Sequence, residues 1–322
     1  MISPIVYTVG RVIVDLYATD IAVPLDEVFT FRKYVGGSSG NTAIGLARLG
    51  NRTGVIARVG DDPMGHYIID TLQREGIDTR MVRMDSHRQT GIAFAALYPP
   101  GDSHVWFCGN PNANSSLAIE DLDFNALREA RAIVIAGTGL AREPSRSAVL
   151  GLAMWAKEVG IPIILDVDWR PVFWRDPDRA RLVYDQLLAM THIVLANEPE
   201  LALVGESHDM TAAAAHVLEK GVSEVVAKRG EKGAWSYRRN RDAVFSPAFT
   251  VQVLNTLGAG DGFAAGYVHG LLAGWNVEKR LQWANACGAI VVTRHSCSDA
   301  MPKASEVQAL WERAEAGGTI DE

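Results

Sequence analysis

Ala132-Ile133-Val134-Ile135-Ala136, an Ala-rich amphipathic run over 145–159, and Ile161-Pro162-Ile163-Ile164-Leu165-Asp166 are the stretch on which the fold turns. The outer two runs are short, apolar and bounded by turn residues, as strands are, and the run between them has a helical period. Residues 193–196 and 224–228 read as two more strands, with a helix over 211–220 between them. Strands that alternate with helices predict a mostly parallel sheet covered on both faces, because right-handed crossovers pack the helices onto it. The expectation is a doubly wound α/β protein of one domain, 1–322. Two segments break the rhythm: 12–34 and 91–108 read as successive strands, with turns such as Pro99-Pro100-Gly101-Asp102 and no helix between them. They predict a small antiparallel β lid from about 11–35 and 89–112. It would lie over the carboxyl ends of the parallel strands, where open α/β sheets bind ligands.

The chain has 322 residues, 48% of them hydrophobic, enough for one large core and incompatible with disorder. A net charge of −7 leaves no electrostatic footprint for nucleic acid or an anionic membrane, so a small-molecule partner is favoured. Residues 5–9 lack a basic lead-in and read as a first strand rather than a signal peptide. No apolar run is long enough to span a bilayer. Three cysteines, Cys108, Cys287 and Cys297, show no metal-ligand spacing and are read as reduced thiols of a cytoplasmic protein.

The strongest chemical feature is Asn255-Thr256-Leu257-Gly258-Ala259-Gly260-Asp261-Gly262-Phe263, followed by a small-residue helix over 264–272. Glycines let the backbone turn until several N–H groups and the positive end of a helix converge on one point. Such a point suits a transferring phosphoryl group, with Asp261 placed to take the proton of an attacking hydroxyl. Read alone, the same residues are also a plain helix start with Asp261 near its cap. A second glycine-rich element, Gly36-Gly37-Ser38-Ser39-Gly40-Asn41-Thr42-Ala43, opens another helix. Its glycines let backbone approach a polyol, and Asn41 offers both a donor and an acceptor to hydroxyls. It is neither a Walker loop nor a dinucleotide fingerprint, and by itself it reads equally as a flexible turn.

Together the two elements resemble the two signature regions of ribokinase-like (PfkB) carbohydrate kinases, in the same order and near the same ends of the chain. The resemblance extends to Asp15 after the first strand, Asn197-Glu198-Pro199-Glu200, Lys228-Arg229-Gly230-Glu231-Lys232-Gly233 and Asn285. It implies an ATP- and Mg2+-dependent sugar kinase. By that resemblance Asp15, Gly37 and Asn41 hold acceptor hydroxyls, Asp261 is the base, and Gly258, Ala259 and Gly260 form the anion hole. Lys228, Gly230, Gly233, Asn197 and Asn285 would meet ATP, and Glu200 would act on the metal through water.

The acceptor is read from Asp166-Val167-Asp168-Trp169-Arg170-Pro171-Val172-Phe173-Trp174, at the end of a strand. Arg170 suits a carboxylate in a planar two-bond geometry, which with Asp168 suggests an acidic sugar. An internal ion pair between Arg170 and Asp166 or Asp168 fits the same residues. The stretch resembles the DxDxRPxxW segment of the 5-dehydro-2-deoxygluconokinases of inositol catabolism, as do residues 283–297 and Ala300-Met301-Pro302. It implies transfer of the ATP γ-phosphoryl group to the terminal C6 hydroxyl of 5-dehydro-2-deoxy-D-gluconate. The alternatives are 2-keto-3-deoxygluconate, a neutral ketose or a nucleoside as acceptor, and Asp261 argues against a non-catalytic binding protein. Three positions depart from the pattern: Ser39-Gly40 replaces Pro-Ala, Cys108 stands where acid-sugar kinases carry a lid arginine, and Asn114 stands near an expected aspartate. The change at Cys108 leaves one carboxylate-binding charge missing. Asn255 stands where many ribokinases carry aspartate, which argues against activation by a monovalent cation while leaving it open. Alternating lid residues Ile92, Phe94, Ala96 and Tyr98 suggest pairing with a second lid in a homodimer.

Overall fold

Along the apolar strands, alternate side chains serve two different helix layers. Ile133 and Ile135 pack with Ile163, Leu165, Val149 and Leu152 on one face, while Ala132 and Val134 join Ile164, Tyr267 and Leu281 on the other. That two-residue period, with both faces apolar, is what a sheet buried on both sides requires. The computed structural model describes residues 5–109, 111–174 and 176–315. Its strands are β1 (Ile5–Val9), β2 (Ile13–Ala18), β3 (Phe31–Gly36), β4 (Thr53–Gly60), β5 (Asp78–Asp85), β6 (Ile92–Tyr98) and β7 (Asp102–Cys108). They continue as β8 (Ala130–Ala136), β9 (Ile163–Asp166), β10 (Ile193–Asn197), β11 (Glu224–Lys228), β12 (Ala234–Arg238) and β13 (Val244–Ser246).

The main sheet runs in the order β13-β12-β11-β10-β9-β8-β1-β4-β5. It is parallel from β11 to β5, and β12 and β13 extend it antiparallel at one edge. The connections from β1 and from β8 lead to opposite sides of the sheet, which makes the gap between these neighbours a topological switch point. Helices Ser145–Glu158, Pro177–Leu188 and Met210–Glu219 cover one face, and Ala259–Leu272 and Val277–Val292 cover much of the other. No helix among the described residues is long and apolar enough to cross a membrane.

The second sheet has the order β3-β2-β6-β7. Its two hairpins are antiparallel, and they join through a parallel pairing of β2 with β6 that sets Asp15 beside Ala93. Both central strands leave the main body in the same direction, so the seam between the hairpins is parallel although each hairpin is not. On this sheet Phe94 packs between Phe31 and Trp106, with ring centroids 5.2 and 5.6 Å apart, and Trp106 is 58% exposed. Of the apolar residues read as a lid-pairing surface, Ala96 is instead buried within its own chain, and Tyr98 packs against His104 with the rings tilted at 46°.

Candidate active site

The carboxyl ends of five neighbouring strands deliver the site. Arg11 follows β1, Thr138 follows β8, Asp168 and Arg170 follow β9, Glu200 follows β10, and Gly230 and Gly233 follow β11, which itself ends at Lys228. Two cavities open there. A pocket of about 110 Å³ lies under the small sheet and is lined by Asp15, Gly37, Asn41, Arg170, Gly258 and Asp261 among others. A cleft of about 1140 Å³ runs beside it, lined by Asn197, Glu200, Lys228, Gly230, Gly233 and Asn285, together with Gly258, Ala259, Gly260 and Asp261. Asp261, Gly258 and Arg170 line both.

Gly258 makes the corner between them. Its φ of +84° is left-handed, and a Cβ there would come within 2.6 Å of the Cys297 Cβ, so only glycine fits without strain. It caps the helix Ala259–Leu272, whose Gly260 and Asp261 amides have no backbone acceptor and face the cavities with the positive end of the helix. Lys228 stands close by: a Cβ on Gly260 would lie 3.5 Å from its Nζ.

Asn41 projects from the other glycine-opened helix, Ser38–Arg48, and its Nδ2 donates to Asp261 Oδ2 at 2.8 Å. Burial pushes the Asp261 carboxyl up to about 7, helped by the charge of Asp168 and opposed by the Asn41 donor. Asp15, on β2, is raised to about 6 by burial, although the Cys297 thiol donates to its Oδ2 at 3.0 Å. Glycine at position 36 leaves it room, since a Cβ there would fall 2.1 Å from the Asp15 carboxyl.

In the cleft the charged groups come in pairs. Lys228 Nζ donates to Asp166 Oδ1 at 2.7 Å; burial disfavours its charge, but Asp166 and Glu200 outweigh that and hold its pKa above the usual lysine range. Glu200 is raised to about 7 by burial. It closes a capping box with Asn197: Asn197 N donates to Glu200 Oε2 at 2.8 Å, and Glu200 N donates to Asn197 Oδ1 at 2.9 Å. Its other oxygen accepts from Trp169 N at 3.2 Å. Asn285 holds the cleft wall through its Nδ2, which donates to Ser246 O and Pro247 O at 3.1 and 2.9 Å.

Asp168 and Arg170 divide differently from the expectation that both meet an acceptor. Asp168 lines the cleft and not the pocket, and three protein donors fill its carboxylate. These are Ser38 Oγ at 2.5 Å, Thr138 Oγ1 at 3.0 Å and Arg170 Nε at 3.1 Å. The internal ion pair left open by the sequence therefore exists, and Asp168 raises the Arg170 pKa. Only Nε of Arg170 is so engaged, and the side chain stays 48% exposed at the wall shared by the two cavities. Arg11, which the sequence reading passed over, lines the pocket as well. The signal for it was its place directly after the first strand, beside the switch point.

Comparison with known proteins finds relatives over nearly the whole length of the chain. The pattern of the pfkB family carbohydrate kinases matches residues 5–304. The chain is similar to the 5-dehydro-2-deoxygluconokinase of Geobacillus thermodenitrificans, 35% identical over 93% of this chain and 90% of that protein. It is likewise 34% identical to the 5-dehydro-2-deoxygluconokinase of Listeria monocytogenes serotype 4a, over 96% of each. Among solved structures, an E. coli protein described as a ribokinase II, in complex with ATP and Mg2+, superposes with a TM-score of 0.90. It is 29% identical and the match covers 97% of this chain and all of that one. A PfkB protein from Polaromonas sp. JS666 superposes with a TM-score of 0.83 at 28% identity, over 95% of this chain and 99% of that one. With the matched pattern spanning nearly all of its length, the chain belongs to the pfkB family of carbohydrate kinases and is an enzyme that phosphorylates a sugar.

Proposed function

We propose that this kinase transfers the γ-phosphoryl group of ATP to the terminal hydroxyl of a sugar acid, and that 5-dehydro-2-deoxy-D-gluconate is its acceptor. The carrying observation is the position of Asp261 on the wall between a sugar-sized pocket and a nucleotide-sized cleft, beside amides with no acceptor. The acceptor occupies the pocket, where Asp15, Asn41 and the backbone at Gly37 meet its hydroxyls. Asp261 takes the proton from the terminal hydroxyl as that oxygen attacks. The amides after Gly258 and the helix start stabilise the charge that develops on the phosphoryl oxygens, and Lys228 adds a fixed cation near Gly260.

ATP lies in the large cleft, against Gly230, Gly233 and the wall that Asn285 holds. Magnesium fits the donor set there. Asp166 and Glu200 are among the carboxylates that line the cleft, and among the described residues no group of three or more His, Cys, Asp or Glu side chains could hold a metal ion by itself. An ion held largely by phosphate oxygens and water suits that pattern, and Glu200 would orient one of the waters. When bound, Mg2+ neutralises charge on the transferring phosphate.

The sugar-acid assignment rests on the relatives named above and on the two arginines, Arg11 and Arg170, that line the pocket. A coupled ADP-release assay over a panel of sugar acids, ketoses and nucleosides tests it. The highest kcat/KM is expected for 5-dehydro-2-deoxygluconate. A clear preference for fructose or ribose overturns the acid reading, and absence of turnover on every member overturns the kinase assignment of the pocket. The aromatic row Phe31-Phe94-Trp106, half-buried at the two phenylalanines and exposed at Trp106, is further proposed to be covered by the same sheet of a second copy, giving a homodimer.

A further inference from the structure

Resting on the sugar-acid reading, we infer that Arg11 is the cation that receives the acceptor's carboxylate. Arg11 is half-buried and makes no hydrogen bond or ion pair with any described residue, and its Nε is buried without a partner. Its guanidinium packs against a pair of touching rings, 4.8 Å from the Phe107 centroid and 4.7 Å from that of Phe173, the two centroids being 5.0 Å apart. The cation–π contacts hold the group against the rings but supply no acceptor for its buried Nε–H. Such a donor set is costly to bury unless an anion completes it. The nearby carboxylates do not complete it: Asp168 is filled by Ser38, Thr138 and Arg170, and Asp15 accepts from Cys297.

Placement separates the two arginines. Arg170 lines the pocket and the ATP cleft, so its free edge stands at the junction where the phosphoryl group passes. Arg11 lines the pocket and a smaller cavity of about 40 Å³ behind it, but not the cleft. A sugar acid whose terminal hydroxyl reacts at Asp261 carries its carboxylate at the opposite end of the carbon chain, away from the cleft. Asn112, Asn114, Ser115 and Arg142 also line the rear cavity, so that end is polar and cationic. On β7 it is Val105 and Phe107 that line the pocket, while Cys108, the next residue, faces the other side of the strand and does not line it, so the charge at this end comes from the main sheet.

The test compares wild type with Arg11→Met, which keeps an unbranched side chain against the rings but loses the charge, and with Arg11→Lys. Two readouts are taken: calorimetric binding of 5-dehydro-2-deoxygluconate and of ADP, and the ratio of kcat/KM for that acid over fructose. In Arg11→Met the acid is expected to bind about tenfold to a hundredfold more weakly, with the loss in KM rather than kcat and a matching fall in the ratio. ADP binding, in a cleft Arg11 does not line, is expected to hold and serves as the folding control. Arg11→Lys should recover part of the loss. An unchanged ratio in Arg11→Met with ADP binding intact overturns the role of Arg11 and leaves the sugar-acid reading standing. A wild type that prefers fructose overturns both. Should Arg11→Met lose ADP binding as well, Arg11→Gln, polar but uncharged, decides: acid affinity equal to wild type overturns the role of Arg11, and a loss of acid affinity with ADP binding intact supports it.

Discussion

Asn41 and Asp261, 220 residues apart in the chain, meet in one hydrogen bond of 2.8 Å at the edge of the acceptor pocket. The bond sets two influences against each other. Burial favours the neutral carboxyl, the Asn41 donor favours the carboxylate, and the balance leaves the group near 7, where a base is half available at physiological pH.

The base works only when deprotonated, so kcat/KM should rise with pH and level off above about 7. Removing the donor in Asn41→Ala withdraws support from the charged form. A hydrogen bond to a charged group contributes about 1.5–3 kcal/mol, so the apparent pKa of the rate profile should move up by about one pH unit. A rate profile of Asn41→Ala that superimposes on wild type would show that the bond has no influence on the base.

Asp261→Asn should lower turnover by about 10²- to 10⁴-fold with little change in ADP affinity. The same variant should be the more stable protein at alkaline pH. Asp261, Glu200 and Asp15 all have folded-state pKa values above the ordinary carboxylate range, so between about pH 4 and 7 the folded chain binds more protons than the unfolded one. Their contribution is fully present at low pH and lost as pH rises through 6 to 7. Melting curves of the ligand-free proteins should therefore show Asp261→Asn gaining on wild type between pH 5 and pH 8. A gap that stays constant with pH would mean the carboxyl titrates normally.

Arg170→Lys keeps a positive charge but cannot hold Asp168 through Nε while presenting a second edge to the pocket. We expect kcat/KM to fall by about tenfold or more for acidic and neutral acceptors alike, because Arg170 stands at the junction rather than at one end of the acceptor. A loss confined to the acid would return the carboxylate to Arg170 and take it from Arg11.

If the outer face of the small sheet is covered by a second copy, a charge in its aromatic row should expose it. Light scattering should report a dimer for wild type and a monomer for Trp106→Glu, with the monomer's melting temperature little changed. A wild-type protein that stays monomeric at every concentration measured would leave Trp106 simply exposed.

Much of this arrangement can be read from the chain. The period-two apolar runs at 132–136 and 193–196 declare a sheet buried on both faces, and the glycines at 36–37 and 258–260 mark where backbone must turn sharply beside a ligand. The pairing of charges is harder to read. Asp168 has a φ of +38°, which no local pattern around Trp169 and Arg170 announces, and its partners Ser38 and Thr138 come from segments 130 and 30 residues away. Arg11 is announced only by its place after the first strand. It has no hydrogen-bond or ion-pair partner among the described residues, and only the assembled pocket shows that it packs against the rings of Phe107 and Phe173.

The first hairpin of the small sheet is tethered with very little chain. Three residues separate the end of β1 at Val9 from the start of β2 at Ile13, and Gly37 alone separates β3 from the helix that carries Asn41. The two tethers also touch, since a Cβ on Gly37 would come within 2.4 Å of the Arg11 carbonyl oxygen. Two short struts that cross at one place leave the hairpin a single axis to turn about, because a trans peptide chain extends by no more than about 3.6 Å per residue. The hairpin has no slack with which to slide away from the pocket. Any swing of it would pivot on Arg11 and Gly37, so two residues that line the pocket are also the bearing on which its cover would turn.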